Sequence, residues 1–179
     1  VEANVAAALC AVDQLFALAP GVVERALKGL VVPGRRERRR FGSGELWLDV
    51  AHNPDAAAGL AAALGEACAG LTHGLCAIMG DKDLAGIFAP LAPQLDSLVV
   101  CGLPGNHRAA PVDSLAAAAS AAGIACVQRA ADLDAGWRLL APRVGDGARG
   151  VVFGSFFTVA GIMPQLAKPG TEEPASARG

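Results

Sequence analysis

Residues 47–56 read Trp-Leu-Asp-Val-Ala-His-Asn-Pro-Asp-Ala, and this stretch decides the fold. Its apolar start predicts a buried strand. Asn53-Pro54 predicts the start of a helix, because Asn is a good N-cap and Pro suits the first helical position. Asp49 and His52 therefore stand where a strand leads into a helix. In an open α/β sheet, ligands bind at this carboxyl edge of the strands.

Strand and helix patterns alternate after this stretch, and a hairpin precedes it. Gly42-Ser43-Gly44 joins the first two strands, which makes them antiparallel. The alternation implies parallel crossovers and a doubly wound α/β sheet with helices on both faces. We predict six strands, one antiparallel to the rest, at 36–41, 45–50, 74–79, 97–101, 124–127 and 150–154. We predict helices at 54–68, 83–93, 111–122, 131–141 and 156–166.

Two helical patterns, 4–18 and 21–30, precede the α/β pattern. The first is apolar all round, and the sequence offers it too few neighbours to bury that surface. We therefore expect residues 1–32 to be the terminal helices of a preceding domain plus its linker. The α/β domain then covers 33–167. The polar residues 168–179, with their Pro and Gly, are expected to form a disordered tail.

The composition excludes several classes of protein. Hydrophobic residues make up 53% of the chain and charged residues 18%, as in globular domains. The net charge of −2 gives no general footprint for nucleic acid. The alternating residues of the arginine-rich run 35–40 are typical of a strand with an exposed face, so we interpret the run mainly as solvated surface. No apolar stretch reaches the ~20 residues of a membrane span. The five cysteines form no C-x-x-C pair, so we expect buried, reduced thiols in a cytoplasmic protein.

Asp49 and His52 are the first candidate site residues. We expect Asp49 to be a solvent-facing carboxylate that binds a ribose hydroxyl or a metal-bound nucleotide, because Asn53 already supplies the helix cap. His52 is suited to binding an anionic substrate or to proton transfer near neutral pH. The alternative for both is an ordinary strand-to-helix turn.

Lys82 and Ser155 follow later strands. Lys82 is placed to approach a phosphate or carboxylate, while its neighbour Asp83 is expected to cap the next helix; a solvated surface lysine is the alternative. Ser155 is expected to cap the last helix, whose free N–H groups favour an anion. The loop 102–110 carries His107 and Arg108, which suit an anion but equally a plain surface loop.

Three common catalytic motifs are absent from the sequence. There is no G-x-S-x-G elbow, which argues against a serine hydrolase. No G-x-G-x-x-G follows a strand, which argues against a dinucleotide dehydrogenase. There is also no G-x-x-x-x-G-K-[ST], so the chain contains no P-loop of its own.

Four motifs in this order resemble the folylpolyglutamate synthase/dihydrofolate synthase family of the Mur ligase superfamily: Pro33-Gly34-Arg35, Leu48–Pro54, Gly80–Asp83 and Gly154-Ser155-Phe156. The resemblance implies a Rossmann-like carboxyl-terminal domain of an ATP-dependent amide ligase that uses Mg²⁺. Its substrates would be ATP, L-glutamate and dihydropteroate or reduced folates. The resemblance also implies an amino-terminal ATPase domain that carries the P-loop, the magnesium ligands and most of the pterin site.

The resemblance further assigns roles to single residues. Asn4, Arg35 and Asp49 match nucleotide-binding positions, with Arg35 reaching the ATP phosphates; Arg36 is the other possible match. His52 and Asp49 match the catalytic motif. Substrate-positioning roles are implied for the following residues: Asn53, Lys82 and Ser155. No metal ligand is expected on this chain.

Two other readings remain open at this point. The chain could be a free-standing Rossmann-like module that binds a nucleotide or folate without catalysis. It could also be a Mur-type ligase acting on peptidoglycan precursors, although the His-Asn-Pro block argues against that. For the leading hypothesis we expect a cytoplasmic monomer whose macromolecular partner is its own ATPase domain, with neither nucleic acid nor membrane bound.

Overall fold

The computed structural model describes residues 2–16, 19–28, 32–67 and 70–166. The chain divides into two compact units, Val1–Val32 and Pro33–Gly179. The predicted tail at 168–179 lies outside the described residues. So does the side chain of Asn4, which the resemblance assigns to the nucleotide.

The first unit consists of two helices, α1 (Glu2–Asp13) and α2 (Pro20–Lys28). Both are shorter than their predicted ranges. The α1 helix is followed by two strongly exposed apolar side chains, Leu15 and Phe16, with exposed fractions of 76% and 68%. Within the described ranges, no helix is long and apolar enough to cross a membrane.

The described residues of the second unit form six strands and five α-helices. The strands are β1 (Glu37–Phe41), β2 (Gly44–Asp49), β3 (Thr72–Cys76), β4 (Ser97–Cys101), β5 (Val127–Ala130) and β6 (Arg149–Phe153). The helices are α3 (Pro54–Glu66), α4 (Leu84–Leu91), α5 (Val112–Ala121), α6 (Leu133–Gly145) and α7 (Phe156–Leu166). The strand order is β1-β2-β6-β3-β4-β5, and only the β1–β2 pair is antiparallel. The predicted six-stranded mixed sheet is confirmed.

Each face of the sheet is covered by its own set of helices. Helices α3, α4 and α5 pack on the face that carries Trp47 and Phe153. Helices α6 and α7 pack on the face that carries Leu75 and Val152. Because successive side chains of a strand point to opposite faces, a strand covered on both sides must be apolar throughout. Because helices pack on both faces of the sheet, the predicted arrangement is confirmed.

The prediction of a strand at 124–127 is wrong. Ile124 is buried but lies in the turn after α5, where Gly123 has a φ of +96°. The strand begins at Val127 and includes Gln128 and Arg129. It lies at the edge of the sheet, where polar side chains reach solvent, and its short polar sequence hides it from a search for apolar runs.

The predicted burial of the five cysteines is correct for only part of the set, and Cys68 lies outside the described residues. Cys76 and Cys101 are buried, whereas Cys10 and Cys126 are exposed; all four are free thiols. Burial raises the pKa of Cys101 to about 12, so its thiol stays protonated and unreactive. We conclude that the buried cysteines serve as small apolar packing groups.

Leu75 on the central strand β3 tests the packing of the second unit. Its side chain is fully buried on the α6 face, whereas Leu139 on α6 is 38% exposed. Leu75→Ala should lower the free energy of unfolding by about 2–5 kcal/mol, because it leaves a cavity that the rigid sheet cannot fill. Leu139→Ala is the matched control and should cost well under half of that. Urea unfolding followed by circular dichroism measures both, and equal losses would contradict the proposed core.

Candidate functional site

The carboxyl ends of three neighbouring parallel strands form one edge of the sheet. Asp49, Phe153 and Cys76 end β2, β6 and β3 and lie in register with one another. The loops that follow these strands therefore lie side by side: 50–53, 154–155 and 77–83. Three of the four motifs found in the sequence meet at this edge.

Asp49 is buried at this edge, with an exposed fraction of only 5%. Its Oδ1 accepts a hydrogen bond from the Ala51 N–H at 2.8 Å, and its Oδ2 accepts one from the Arg36 N–H at 3.0 Å. Burial raises the pKa of Asp49, and these two bonds oppose the rise. The expectation of a solvent-facing carboxylate is therefore wrong, because residues 33–36, the segment before β1 that we call the linker from here on, fold back over the end of β2 and cover it.

Two residues of the linker before β1 adopt a left-handed backbone conformation, which other contacts must stabilise. Gly34 and Arg36 both have positive φ angles, of +67° and +50°. The left-handed conformation costs a residue such as Arg36 on the order of 1 kcal/mol. The Val50 N–H donates to the Gly34 carbonyl at 2.8 Å, which joins the linker to the end of β2. A Cβ on Gly34 would lie 3.2 Å from Val50 and Val159, so glycine also suits the tight packing there.

The residues before and after Arg35 each donate a backbone N–H to a carboxylate. The Gly34 N–H donates to Glu37 Oε2 at 2.9 Å, and the Arg36 N–H donates to Asp49 Oδ2. Glu37 is itself held by Arg39, whose Nε donates to Oε1 at 2.7 Å. We name this arrangement of Glu37 and Asp49 the linker clamp. Sequence reasoning missed Glu37, which reads there as a mere interruption of the arginine run.

The guanidinium of Arg35 is exposed and lies over the ring of Phe156, 5.8 Å from its centroid. Phe156 is the first residue of α7, so Arg35 points to the 154–155 loop. A stacked guanidinium keeps its N–H donors in the plane of the group, where they can bind phosphate or carboxylate oxygens. The linker clamp therefore presents an available cation at the carboxyl edge of the sheet.

His52 is half-buried, and its Nδ1 lies 2.8 Å from the Val50 carbonyl oxygen. A carbonyl oxygen only accepts hydrogen bonds, so Nδ1 must carry the hydrogen. In the neutral ring this assignment makes Nε2 the acceptor. His52 can therefore receive a proton or a hydrogen bond through Nε2 while its own backbone holds the ring in place.

Asn53 and Asp83 cap two adjacent helices. Asn53 Oδ1 accepts from the Ala56 N–H at 2.8 Å, and Asp83 Oδ1 accepts from the Gly86 N–H at 2.9 Å. Both predicted caps are confirmed. A Cβ on Gly86 would lie 2.8 Å from Pro54, so the first turns of α3 and α4 touch. Two helix N-termini at one edge create a positive potential that attracts anions.

Lys82 is engaged on the surface beside these helices. Its Nζ lies 2.8 Å from Asp81 Oδ2, and Arg108 lies 3.6 Å from the other oxygen of Asp81. The hydrogen bond from Lys82 lowers the pKa of Asp81. In this structure Lys82 therefore neutralises Asp81 and makes no contact with Asp49 or His52 within the described ranges.

Ser155 caps α7 and ties it to the end of β3. Its Oγ accepts from the Thr158 N–H at 3.0 Å and lies 2.7 Å from Thr158 Oγ1. Thr158 Oγ1 donates its only hydrogen to the Ala77 carbonyl at 2.6 Å, so Ser155 must donate to Thr158. The predicted cap is confirmed. The one hydroxyl hydrogen of Ser155 is used inside the protein, and Thr158 is a partner that sequence reasoning missed.

The same edge has a cavity, and its described residues form no cluster of metal-ligating side chains. Across 2–16, 19–28, 32–67 and 70–166, no group of three His, Cys, Asp or Glu side chains could hold a metal ion. Beyond β4 lies a cavity of about 340 Å³ whose lining includes Leu103, Asp132, Asp134 and Phe157. Its two carboxylates disfavour an anionic ligand there, so the part of the edge near Arg35 is better suited to an anion.

Comparison with known proteins identifies the family of this chain. The family described as "Mur ligase, glutamate ligase domain" matches residues 34–156. The dihydrofolate synthase/folylpolyglutamate synthase of Mycobacterium tuberculosis is 37% identical over 123 residues, which cover 65% of this chain and 25% of that protein.

Solved structures are similar over most of the chain. The M. tuberculosis folylpolyglutamate synthase complexed with ADP and AMPPCP matches with a TM-score of 0.78 and 30% identity, over 93% of this chain and 39% of that one. A bifunctional folylpolyglutamate synthase/dihydrofolate synthase with Mn, AMPPNP and L-glutamate bound matches with a TM-score of 0.72 and 30% identity, over 84% of this chain and 36% of that one. The chain thus spans well under half the length of these relatives. It belongs to the Mur ligase family, in which it represents the glutamate ligase domain.

Proposed function

We propose that this chain is the carboxyl-terminal part of an ATP-dependent ligase that adds L-glutamate to dihydropteroate or to reduced folates. The observation that carries the proposal is the linker clamp, which holds Arg35 at the ligand-binding edge of the sheet. The names of the similar proteins, and the ATP analogues and L-glutamate bound in them, support this choice of substrates.

The proposed reaction has two steps. A carboxylate oxygen of the pteroate or folate attacks the γ-phosphorus of ATP, and ADP leaves. The glutamate ammonium group first loses a proton. The free amino nitrogen then attacks the acyl carbon, inorganic phosphate leaves, and loss of a second proton from nitrogen completes the amide. Negative charge is carried on phosphate oxygens throughout, so a fixed guanidinium such as Arg35 would stabilise both steps.

The site geometry suggests a division of roles. Asp49 would act on the nucleotide mainly by holding the linker that bears Arg35, because its own oxygens accept backbone N–H groups. His52 Nε2 is suited to accept a hydrogen bond or proton from the glutamate ammonium group. Asn53 and Ser155 would position their loops through helix caps. Lys82 would reach an anion only by leaving Asp81.

Other parts of the complete enzyme would come from a preceding ATPase domain. We propose that residues 1–32 are its last helices plus linker, that 33–167 form the glutamate ligase domain, and that 168–179 are a tail. The exposed apolar side chains at 15 and 16 support a covering partner. We propose that the ligands of Mg²⁺ come mainly from that domain, and that Asn4 contacts the nucleotide from the same side. ATP as substrate favours a cytoplasmic enzyme, and one polypeptide carrying both domains favours a monomer.

The division of the active site can be tested by separating its parts. The 179-residue chain alone should show no glutamate-dependent ATP hydrolysis, whereas the complete polypeptide with its P-loop domain should form the amide. A coupled ADP assay with and without L-glutamate measures both. Turnover by the chain alone would contradict the missing-domain proposal. A complete natural protein that binds ATP or folate without turnover would instead favour a binding module.

The role of the linker clamp can be tested by a double-mutant cycle in the complete ligase. Arg35→Ala should lower kcat/KM for ATP by about 100-fold or more, because a charge is lost from the transferred phosphate. Glu37→Gln keeps the shape of the side chain but weakens its hold on the Gly34 N–H, and should cost about tenfold.

The two substitutions should not be additive. If Glu37 acts through Arg35, then Glu37→Gln should have little further effect once Arg35 is alanine. Asp113→Asn, which removes an exposed carboxylate paired with Arg129, is a control that should leave kcat/KM unchanged. Fully additive losses in the double variant would refute the clamp.

The buried carboxylate of Asp49 gives a pH-dependent prediction. Because its folded pKa lies above the ordinary value of 3.8, the folded chain binds this proton more tightly than the unfolded chain. Its contribution to stability is therefore greatest below 3.8 and is lost as the pH rises through the folded pKa. Asp49→Asn should lack this component, so the difference in unfolding free energy between the two proteins should change over that interval. Urea unfolding between about pH 3.5 and 7 measures it, and a constant difference would contradict the shift.

A further inference from the structure

Three arginines line the α3 side of the edge strand β1. The Arg38 guanidinium lies flat on Trp47, 3.9 Å from the ring centroid. Arg40 pairs in register with Glu45, which places it on the same face, since directly opposed residues share a face. Arg36 reaches the same side, because its Nη2 would lie 3.3 Å from a Cβ on Gly59 of α3. We call these three residues the arginine strip.

The arginines of the strip form no ion pair within the described part of the chain. All three residues are exposed, and none has a carboxylate within ion-pair distance in the described part of the chain. The nearest acidic groups are already engaged: Glu45 accepts from Trp47 Nε1 at 2.7 Å, and Asp49 holds backbone N–H groups. Arg39 differs from these three arginines, because it points to the other face and forms an ion pair with Glu37.

Within the strip, Arg38 is held in place, and its spacing from Arg40 follows the regular repeat of β1. Trp47 is fully buried beneath Arg38 and so provides a fixed platform for its guanidinium. Side chains two apart on a strand repeat every ~6.8 Å. A γ-linked glutamate adds five backbone bonds, or about 6 Å, per residue and carries one α-carboxylate. Such a chain therefore offers several carboxylates at intervals of this order, and each carboxylate can form a bidentate pair with a guanidinium.

We propose that the arginine strip binds the poly-γ-glutamate tail of a folate. This inference rests on the proposed function for the choice of folate, and it adds a second site along β1, outside the reacting centre. The strip starts at Arg36, next to the linker clamp, and follows β1 toward the end of the sheet at which β2 begins. A tail bound there would hold a long-chain folate near the enzyme. Single-stranded nucleic acid fits less well, because the one aromatic ring at the strip is covered and cannot stack with bases.

A binding assay with the 179-residue chain tests this inference without ATP or turnover. Pteroyl-γ-tetraglutamate and pteroylmonoglutamate are titrated by calorimetry at low and at physiological ionic strength. The tetraglutamate should bind roughly tenfold more tightly at low salt, and the advantage should shrink as salt screens the exposed charges. Arg38→Gln/Arg40→Gln should remove the advantage. Arg40→Gln alone, which leaves the Trp47 platform intact, should remove part of it.

Matched controls separate a specific strip from general electrostatics. Arg129→Gln/Arg138→Gln changes the charge equally on other exposed surfaces and should keep the full advantage. Circular dichroism checks that each variant is folded. Equal affinity for the two folates, equal loss in both double variants, or equal binding of an α-linked tetraglutamate peptide or of an oligonucleotide would each overturn the proposal. If the complete protein binds the tail but shows no ligase activity, the proposed function is refuted and the tail site is not.

Discussion

The carboxylate of Asp49 is the interaction on which the geometry of the candidate site depends. A buried carboxylate is costly unless hydrogen-bond donors surround it. Asp49 meets this requirement with two backbone N–H groups, one from the turn that leads to α3 and one from the linker. Because one side chain satisfies both, the start of α3 and the position of Arg35 are fixed together. The site is therefore organised by backbone contacts before any ligand binds.

The sheet could be predicted because its signals are local. Central parallel strands are buried on both faces and read as apolar runs, and β4 was recognisable as Ser97–Cys101 for this reason. The edge strand β5 has solvent on its outer side, so Gln128 and Arg129 fit there and the apolar signal is lost. The prediction instead followed Ile124, which is buried through packing on α5 and not through strand pairing.

The same distinction separates the correct and the wrong expectations about the site. The caps of Asn53 and Asp83 involve backbone groups three residues away, so residue type and spacing are enough to predict them. The burial of Asp49 depends on a linker residue 13 positions earlier. The Thr158 bond to Ala77 spans 81 positions. Such contacts arise only when strands β2, β6 and β3 are brought together, and no local pattern encodes them.

The two faces of β1 suggest how the linker and the arginine strip are related. Glu37 and Arg39 project to one face, where they hold Gly34 and approach Met163 of α7. Arg38 and Arg40 project to the other face and form no ion pair within the described residues. Arg36 donates its backbone N–H to Asp49 and is also the first member of the strip. A change in the conformation of the linker would therefore move this end of the strip relative to Arg38 and Arg40. Binding of a polyanion along β1 would then favour one linker conformation, since a ligand shifts any equilibrium whose states it binds unequally.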